Sequence, residues 1–540
     1  MADFYADWNI GDDAYDGTSP TDDGGGVGPV KHLSAGYALM SNTDRLLIAA
    51  SLLYDEAGET ADGYLNIATP NKSVTFEGTG SSRADVKFTS THASFTVRLL
   101  TGADGSTITM KHMTLDKGVA GASSIMRVEA NATPFAASFV LDDTVSNSGI
   151  RASSGTGGVQ HRSVSVIDSV LVGTVQAVDA VAVTIRNSTY TDTNIDGNIG
   201  SVSITGGCIA TGAFGFDAGG ITAGLAGGVV ITDLTCEDVN DTTSGINLRG
   251  LAVGVTIERN KIFVSSTASG IHLGEDTATN ANQLTGDIVV RNNSVIYTGA
   301  VSGHGYLIGS GADEATVEQN YGWGTSTGGD GSIGTVVKAE GCTIRNNQIL
   351  NFRRGLYFKG AGSNVAYNNH FEGTNLSALQ FNTDTDLSTA NEIYNNIFDA
   401  SNGGTYAVVW DDSFDGNTRD NNLYVAGSTA LARNNATATT YADLAALQAA
   451  STEDDNSQEG AADVDYLGTP IVNGNCYVGN GKITVRPGTG HRDLRGRPKL
   501  AAYEDCIGPV YPQGDWIGNT LTPLVQQGIE IGSKPDIGRG

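Results

Sequence analysis

The sequence predicts an all-β chain, a right-handed parallel β-helix solenoid with an N-terminal cap and a C-terminal extension. Three observations predict it. First, one phrase keeps returning: an apolar or β-branched run, then Asn, as in VTIERNKI, VVRNNSVI, TVEQNYG, TIRNNQI, VAYNNHF, EIYNNIF and TRDNNLY. Its Asn residues are Asn260, Asn293, Asn320, Asn347, Asn369, Asn396 and Asn422, at steps of 33, 27, 27, 22, 27 and 26 residues. A period in this range marks stacked supersecondary units. The Asn would sit at the same inward turn of each coil, where amides can bond to those above and below. Second, the chain has 72 Gly and only 11 Pro among 540 residues, which suits many tight turns between short strands. Third, long apolar helical faces are missing, whereas short alternating runs recur upstream of the Asn phrases.

In chain order, residues 1–71 form the cap. GDDAYDGTSPTDDGGG is a loop by composition. KHLSAGYALMSNTDRLLIAASLLYDE reads as a short helix, a turn and a strand. A cap is required because the first coil would otherwise leave backbone and core open to water. Coils occupy 72–430. Degenerate copies include SVTFEG, TITMKHMTL, SFVLDDTV, VSVIDSVLV, VTIRNST, VSITGGC and VVITDLTC. Together they imply about twelve or thirteen coils and a stack roughly 60 Å long at strand spacing. Residues 431–540 carry the helix TYADLAALQAAS, with a Thr start, then the acidic loop TEDDNSQEG, then short strands and a tail.

Net charge is −28 and the pI about 4.5. Such a surface repels nucleic acid and anionic membranes. The five cysteines, Cys208, Cys236, Cys342, Cys476 and Cys506, are odd in number and lack metal-ligand spacing. The first three fall in strand phrases and read as buried thiols. MADFYADWNIGDD has no basic region followed by an apolar stretch, so no secretory signal is expected in the chain as it stands, and no segment is apolar over 18 residues. Either a signal has been removed, or the protein leaves its cell by another route, of which assembly into a virus particle is one.

A second phrase precedes each ladder Asn: GINLRG, GIHLGE, GYLIGS, GTVVKA, GLYFKG, ALQFNT and AVVWDD. Alternation across a strand sends Ile246 and Leu248 inward and Asn247 and Arg249 outward. The same register gives an outward column of Arg249, Gly274, Gly309, Lys338, Lys359, Asn382 and Trp410. Its neighbour is Asn247, His272, Leu307, Val336, Tyr357, Gln380 and Val408, with the two glycines opening a dip. Aromatic rings, amides and cations in one strip suit sugar, so Arg249, His272, Tyr357, Gln380, Asn382 and Trp410 are the expected glycan contacts. Lys and Arg stems covering sheet surface would give a similar pattern without any ligand. Lys338 and Lys359 fall on successive coils about 5 Å apart. Two ammonium groups that close disfavour joint protonation, and a neutral Lys could take the C5 proton of a uronic acid, which is β-elimination. A hydrolase would instead need two carboxylates, about 5 Å apart for retention or about 6.5–9.5 Å for inversion. Asp384 and Asp412 share a column on adjacent coils, and Glu275 or Asp276 could face Asp313 or Glu314. These acidic turns could equally be solvated loops or hold Ca²⁺ through oxygen. No spacing defines a metal site, and His112, His161, His304 and His370 read as ordinary turn or face residues.

GDDAYDGTSP, the Asn-bearing coils, DLAALQAAS and RDLRGRPKL resemble the pectate-lyase-like β-helix superfamily across nearly the whole chain. The resemblance is specific for fold and leaves lyases, hydrolases and non-catalytic binders open. VVKAEGCTIRNN and LYFKGAGSNVAYNNHF are similar to phrases of its alginate- and chondroitin-lyase branch. Lys338 matches that branch's Lys, Lys359 stands where it has Arg, and only Asp330 lies near its acidic calcium ligands. Three functions follow as expectations. The first is a virion-attached spike that binds, and could depolymerise, a host surface polysaccharide, commonly a homotrimer in such proteins. The second is a secreted polysaccharide lyase or glycosidase, and the third a non-catalytic surface protein.

Overall fold

A computed structural model describes residues 1–460 except 56–64, 68, 91–96, 100–104, 118–125, 129–136, 153–161, 214, 224–227, 241–243, 251, 276–283, 299–302, 326–330, 383–388, 412–415 and 452. Asp276, Asp330, Asp384, Asp412, His161, Cys476, Cys506, RDLRGRPKL and the final tail therefore lie outside the described residues.

The coil is built at one corner. There a non-glycine residue takes left-handed backbone, and the next residue turns its side chain inward. The left-handed residues include Asp143, Asp168 and Asn187, then Arg259, Asn292, Gln319, Asn346, Asn368, Asn395 and Asn421, with φ between 46° and 58°. Asn tolerates this region better than other residues with a Cβ, because its short amide can bond locally. That is why so many repeats read Asn-Asn: the first makes the bend and the second enters the core. Each corner joins a first face to a second face, and a further strand forms a third face before the chain returns to the first. Successive copies pair in parallel, so the chain is a right-handed parallel β-helix.

The chain divides into two compact units, residues 1–235 with 250–253, and residues 236–249 with 254–540. In the first unit, strands Val74–Gly78, Ser106–Lys111, Ala137–Asp142 and Arg162–Ile167 alternate between core and surface. Register stacks Val74 on Ile108, Ile108 on Phe139, and Phe139 on Val164, all within 3% of full burial. The inward corner residue here is a hydroxyl: Ser169 Oγ accepts Thr144 N–H at 3.0 Å, and Ser188 Oγ accepts Ser169 N–H at 3.0 Å. Helix Leu33–Leu39 stacks Tyr37 on Phe76, and the Lys72 ammonium lies 3.8 Å from the Tyr37 ring centroid while donating to Tyr37 O.

In the second unit the corner residue is Asn, and the row is continuous. Asn293 Oδ1 accepts both the backbone N–H and Nδ2 of Asn260, at 3.0 and 2.9 Å. Asn320, Asn347, Asn369, Asn396 and Asn422 repeat the pattern at 2.9–3.2 Å, and every Nδ2 from Asn293 onward also donates back to a carbonyl of the preceding coil. Ser457 Oγ ends the row by accepting Asn422 N–H. A second, shorter row lies at another corner: Asn364 Oδ1 accepts from Cys342 N, Asn391 Oδ1 from Asn364, and Asn417 Oδ1 from Asn391. Stacked Phe371, Phe398 and Tyr424 fill the core beside the first row. Cys208, Cys236 and Cys342 are buried thiols.

At the C-terminal end the core turns polar. Arg419 is fully buried and pairs with Asp454 Oδ2 at 3.0 Å, and neither side chain has any exposure. Asp454 Oδ1 accepts from Tyr424 and Ser457 hydroxyls at 2.7 and 2.9 Å. Thus one residue of the acidic loop is the most deeply buried carboxylate of the cap. The helix runs Leu444–Ala450 and is capped by Asp443, which accepts Ala446 N–H, rather than by Thr, because Thr439–Tyr441 is a strand pairing antiparallel with Ala432–Asn434.

Candidate functional site

The expected strip lies on the third face. Register carries Asn247 to His272, Leu307, Val336, Tyr357 and Gln380 as anticipated. Gln380 then pairs with Val409 rather than Val408. This one-residue slip turns Trp410 over: it pairs with Phe381, which stacks on Phe358 in the core, and its own indole is 2% exposed and stacks on Tyr441 at 5.5 Å. Trp410 is therefore an inward residue closing the solenoid, and no sugar can lie against it.

The rest of the strip is drier than a glycan platform. His272 is 8% exposed, Tyr357 9% and Gln380 6%. Leu307, Ile333, Val336 and Tyr357 form an apolar cluster, and Arg354 covers it, its Nε donating to Gln380 Oε1 at 2.7 Å and its guanidinium 5.9 Å from the Tyr357 centroid. Arg249 is half-buried, and Asn382 ends strand His370–Asn382. The glycines form no dip. Gly274 and Gly309 allow Glu275 and Ser310 to bridge with paired backbone bonds of 2.9 Å, and a Cβ at Gly274 would meet Ser310 O at 2.6 Å. Lys338 and Lys359 directly follow the paired Val337 and Phe358, so they do stand on neighbouring coils, both half-buried. Of the acidic turns, Asp313 accepts Glu340 N–H of the next coil at 2.9 Å, a structural use.

A different constellation lies on the second face, just after the Asn row. Strand Gln348–Lys359 pairs with His370–Asn382, and between Ile349 and Phe352 it carries one residue more than its partner. Asn351 absorbs the extra residue in left-handed backbone, φ 60°, with its Nδ2 donating to Gly324 O at 2.8 Å. A bulge re-aims the side chain opposite it. Here that is Glu372, whose Oε2 accepts Asn351 N–H at 3.1 Å and whose Oε1 accepts Asn402 Nδ2 at 2.6 Å. Register places Asp399 directly beside Glu372 on the following coil, one strand spacing of about 4.8 Å away. Asp399 Oδ1 accepts the N–H and hydroxyl of Ser401 at 2.8 and 2.6 Å.

His370, two residues before Glu372 and so on the same side, points Nε2 at Asp399 Oδ2 from 3.9 Å. That is an electrostatic contact and too long for a hydrogen bond. Neither ring nitrogen of His370 nor Oε1 of its register neighbour Gln348 has a hydrogen-bond partner, although His370 is 5% and Gln348 1% exposed. Reading His370 as an ordinary face residue missed this, because only the register shows which acids it meets. Burial lifts the Glu372 carboxyl above its usual range, and the charge of Asp399 adds to the lift. Burial also opposes ionisation of Asp399, but His370 and Ser401 outweigh it and hold Asp399 below the usual range. Two adjacent carboxyls pushed in opposite directions are equipped for different protonation roles. The next outward column up the stack is Phe263, Ile296, Trp323 and Leu350, of which Phe263 and Trp323 keep part of their rings exposed.

A family model described as "Periplasmic copper-binding protein (NosD)" matches residues 192–479, just over half of the chain. No curated protein matches it. Among solved structures, the chain is similar to the periplasmic alginate epimerase AlgG, at 12% identity over 70% of this chain and 76% of that one with a TM-score of 0.23. It is similar to the PL6 family alginate lyase AlyGC at 12% identity, over 94% of this chain and 59% of that one, TM-score 0.35. Tailspike protein 3 of bacteriophage CBA120 is 13% identical over 74% of this chain and 59% of its own, TM-score 0.32. The chain thus spans under two thirds of the lyase and of the tailspike.

Proposed function

Because the chain belongs to the periplasmic copper-binding protein (NosD) family of β-helix proteins, we propose that it uses the scaffold to hold a polysaccharide along the second face. The observation that carries this reading is the continuity of part-exposed Phe263 and Trp323 with the Glu372–Asp399 pair. Aromatic faces stack on pyranose rings, while amide and carboxylate groups take hydroxyls.

Copper, which the family's description implies, fits poorly. Copper sites draw on clustered imidazole, thiolate or thioether ligands. Among the described residues no group of three or more His, Cys, Asp or Glu is placed to hold a metal ion. Cys342 is buried, and burial pushes its thiol up to about 12, far from the thiolate that copper needs.

Affinity electrophoresis in gels containing alginate, polygalacturonate, hyaluronan, xylan or dextran tests the proposal. At least one should retard the protein, and Trp323→Ala should weaken the retardation about tenfold, a loss of the size expected for one stacking contact. Retardation by none would refute it.

A second reading, elimination at a uronic acid by Lys338 and Lys359, is favoured by their adjacency on neighbouring coils. It predicts the ultraviolet absorbance of unsaturated uronates and its loss in Lys338→Ala. In that reading Arg249 and Asn382 hold the uronate, and Asp384 and Asp412 are the carboxylates of a hydrolytic variant. Display as a homotrimeric virion spike would set such a face toward a host glycan. Light scattering at three times 55.8 kDa supports that assembly, and 55.8 kDa removes it.

A further inference from the structure

We propose that Glu372 and Asp399 are the acid and the nucleophile of a glycoside-cleaving site that acts with retention of configuration. This deepens the reading above and rests on it. The geometry has three parts: two carboxylic residues paired in register on consecutive coils, a bulge at Asn351 whose N–H one of them accepts, and an imidazole directed at the other. Register sets the two backbones one strand spacing of about 4.8 Å apart; carboxyls kept at about that spacing leave no room for a water between acid and base, which favours a covalent route.

Each group has a defined task. Glu372 gives its proton to the glycosidic oxygen as the C1–O bond breaks and the bonding pair stays on that oxygen. Asp399 Oδ2, the oxygen not engaged by Ser401, forms a bond to C1. Water then attacks C1 and surrenders a proton to Glu372, and the Asp399–C1 bond breaks to restore the carboxylate. One water is consumed, and one hydroxyl and one reducing end are released. The opposite shifts of the two carboxyls match this division, with burial raising Glu372, and with His370 and Ser401 lowering Asp399 against its own burial. His370 is a positioning residue for Asp399.

The test takes the full chain and any panel polysaccharide that retards it. Wild type should release reducing ends without an ultraviolet rise, and proton NMR should show the first-formed anomer with the configuration of the bond cleaved. Glu372→Gln and Asp399→Asn should each slow release by at least about 10²-fold, the usual range for losing such a group. Both should still be retarded by the same polysaccharide and should give the wild-type circular dichroism spectrum, which shows that each is folded. His370→Ala should move the acidic limb of the pH profile, which a packing role would not. A polysaccharide that is bound but never cleaved would overturn the inference and leave the binding reading standing. So would cleavage that survives both substitutions, or inversion at C1. Retardation by no polysaccharide would sink both.

Discussion

Replacing Asn347 with Ala probes the amide row at its centre. The amide makes four bonds: its Oδ1 accepts Asn320 N–H and Nδ2 at 3.0 Å each, and its Nδ2 donates to Val317 O and Asn369 Oδ1 at 2.9 Å. Asn369 Oδ1 keeps the Asn347 backbone N–H at 2.9 Å, and Asn320 Nδ2 keeps its bond to Val290 O. The real losses are one acceptor for two buried Asn320 donors and one donor for Val317 O. At about 1–3 kcal/mol for each stranded donor, the cost should be about 3–5 kcal/mol. Asn347→Ser should cost roughly half as much, since a hydroxyl in this position can accept the preceding N–H, as Ser457 does for Asn422. Urea unfolding followed by circular dichroism measures the totals. Hydrogen exchange at the Asn320 amide reports the local loss, since a solenoid need not open in one step. A cost below about 1 kcal/mol, or equal costs for Ser and Ala, would refute the accounting.

Other perturbations follow from the same structure. Arg419→Met leaves Asp454 buried and uncompensated, so it should lose about 3–5 kcal/mol, whereas replacing both partners with apolar residues should lose much less; thermal melts of the single and double variants compare them. Asn346→Val places a β-branched residue at φ 56° and should cost about 1–2 kcal/mol, while Asn346→Gly should be near neutral in the same melts. For Glu372 the folded carboxyl titrates above its ordinary 4.5. A raised group contributes stability that is complete below that value and is lost as pH rises through the folded pKa. Glu372→Gln should therefore gain on wild type as pH rises above about 4.5. A constant difference would mean that the carboxyl is not perturbed.

The solenoid was legible because its signal is periodic and local. One Asn per coil at near-constant spacing can serve only one recurring position, and the left-handed residue before it is chemically marked as well. The second row, Asn364, Asn391 and Asn417, escaped notice because it has only three members. Outward residues were harder. Strict alternation placed Gln380 and Tyr357 correctly but failed at Trp410, because that strand pairs Phe381 rather than Asn382 with Trp410, and a register one residue off reverses every side chain. The carboxylate pair escaped for another reason: Glu372 and Asp399 lie 27 residues apart, the same step as from Asn369 to Asn396, but on the strand after the Asn row, whose outward residues carry no repeated chemical mark. Polarity in sequence also says nothing about depth: Asp454 sits in an acidic loop yet is wholly enclosed.

The amide row has a direction. Every Nδ2 from Asn260 to Asn396 gives its forward hydrogen to the next coil, so six side-chain dipoles point the same way and their polarisation adds. Such a line carries partial positive charge at its C-terminal end, much as a helix does at its N-terminus. There, the Ser457 hydroxyl that receives Asn422 N–H and the Tyr424 hydroxyl both hand their protons to Asp454. The buried anion thus terminates an electrical axis as well as a hydrogen-bond chain. Since each added coil contributes one more aligned dipole and leaves that terminus untouched, the scaffold can lengthen by whole repeats without redesigning its end.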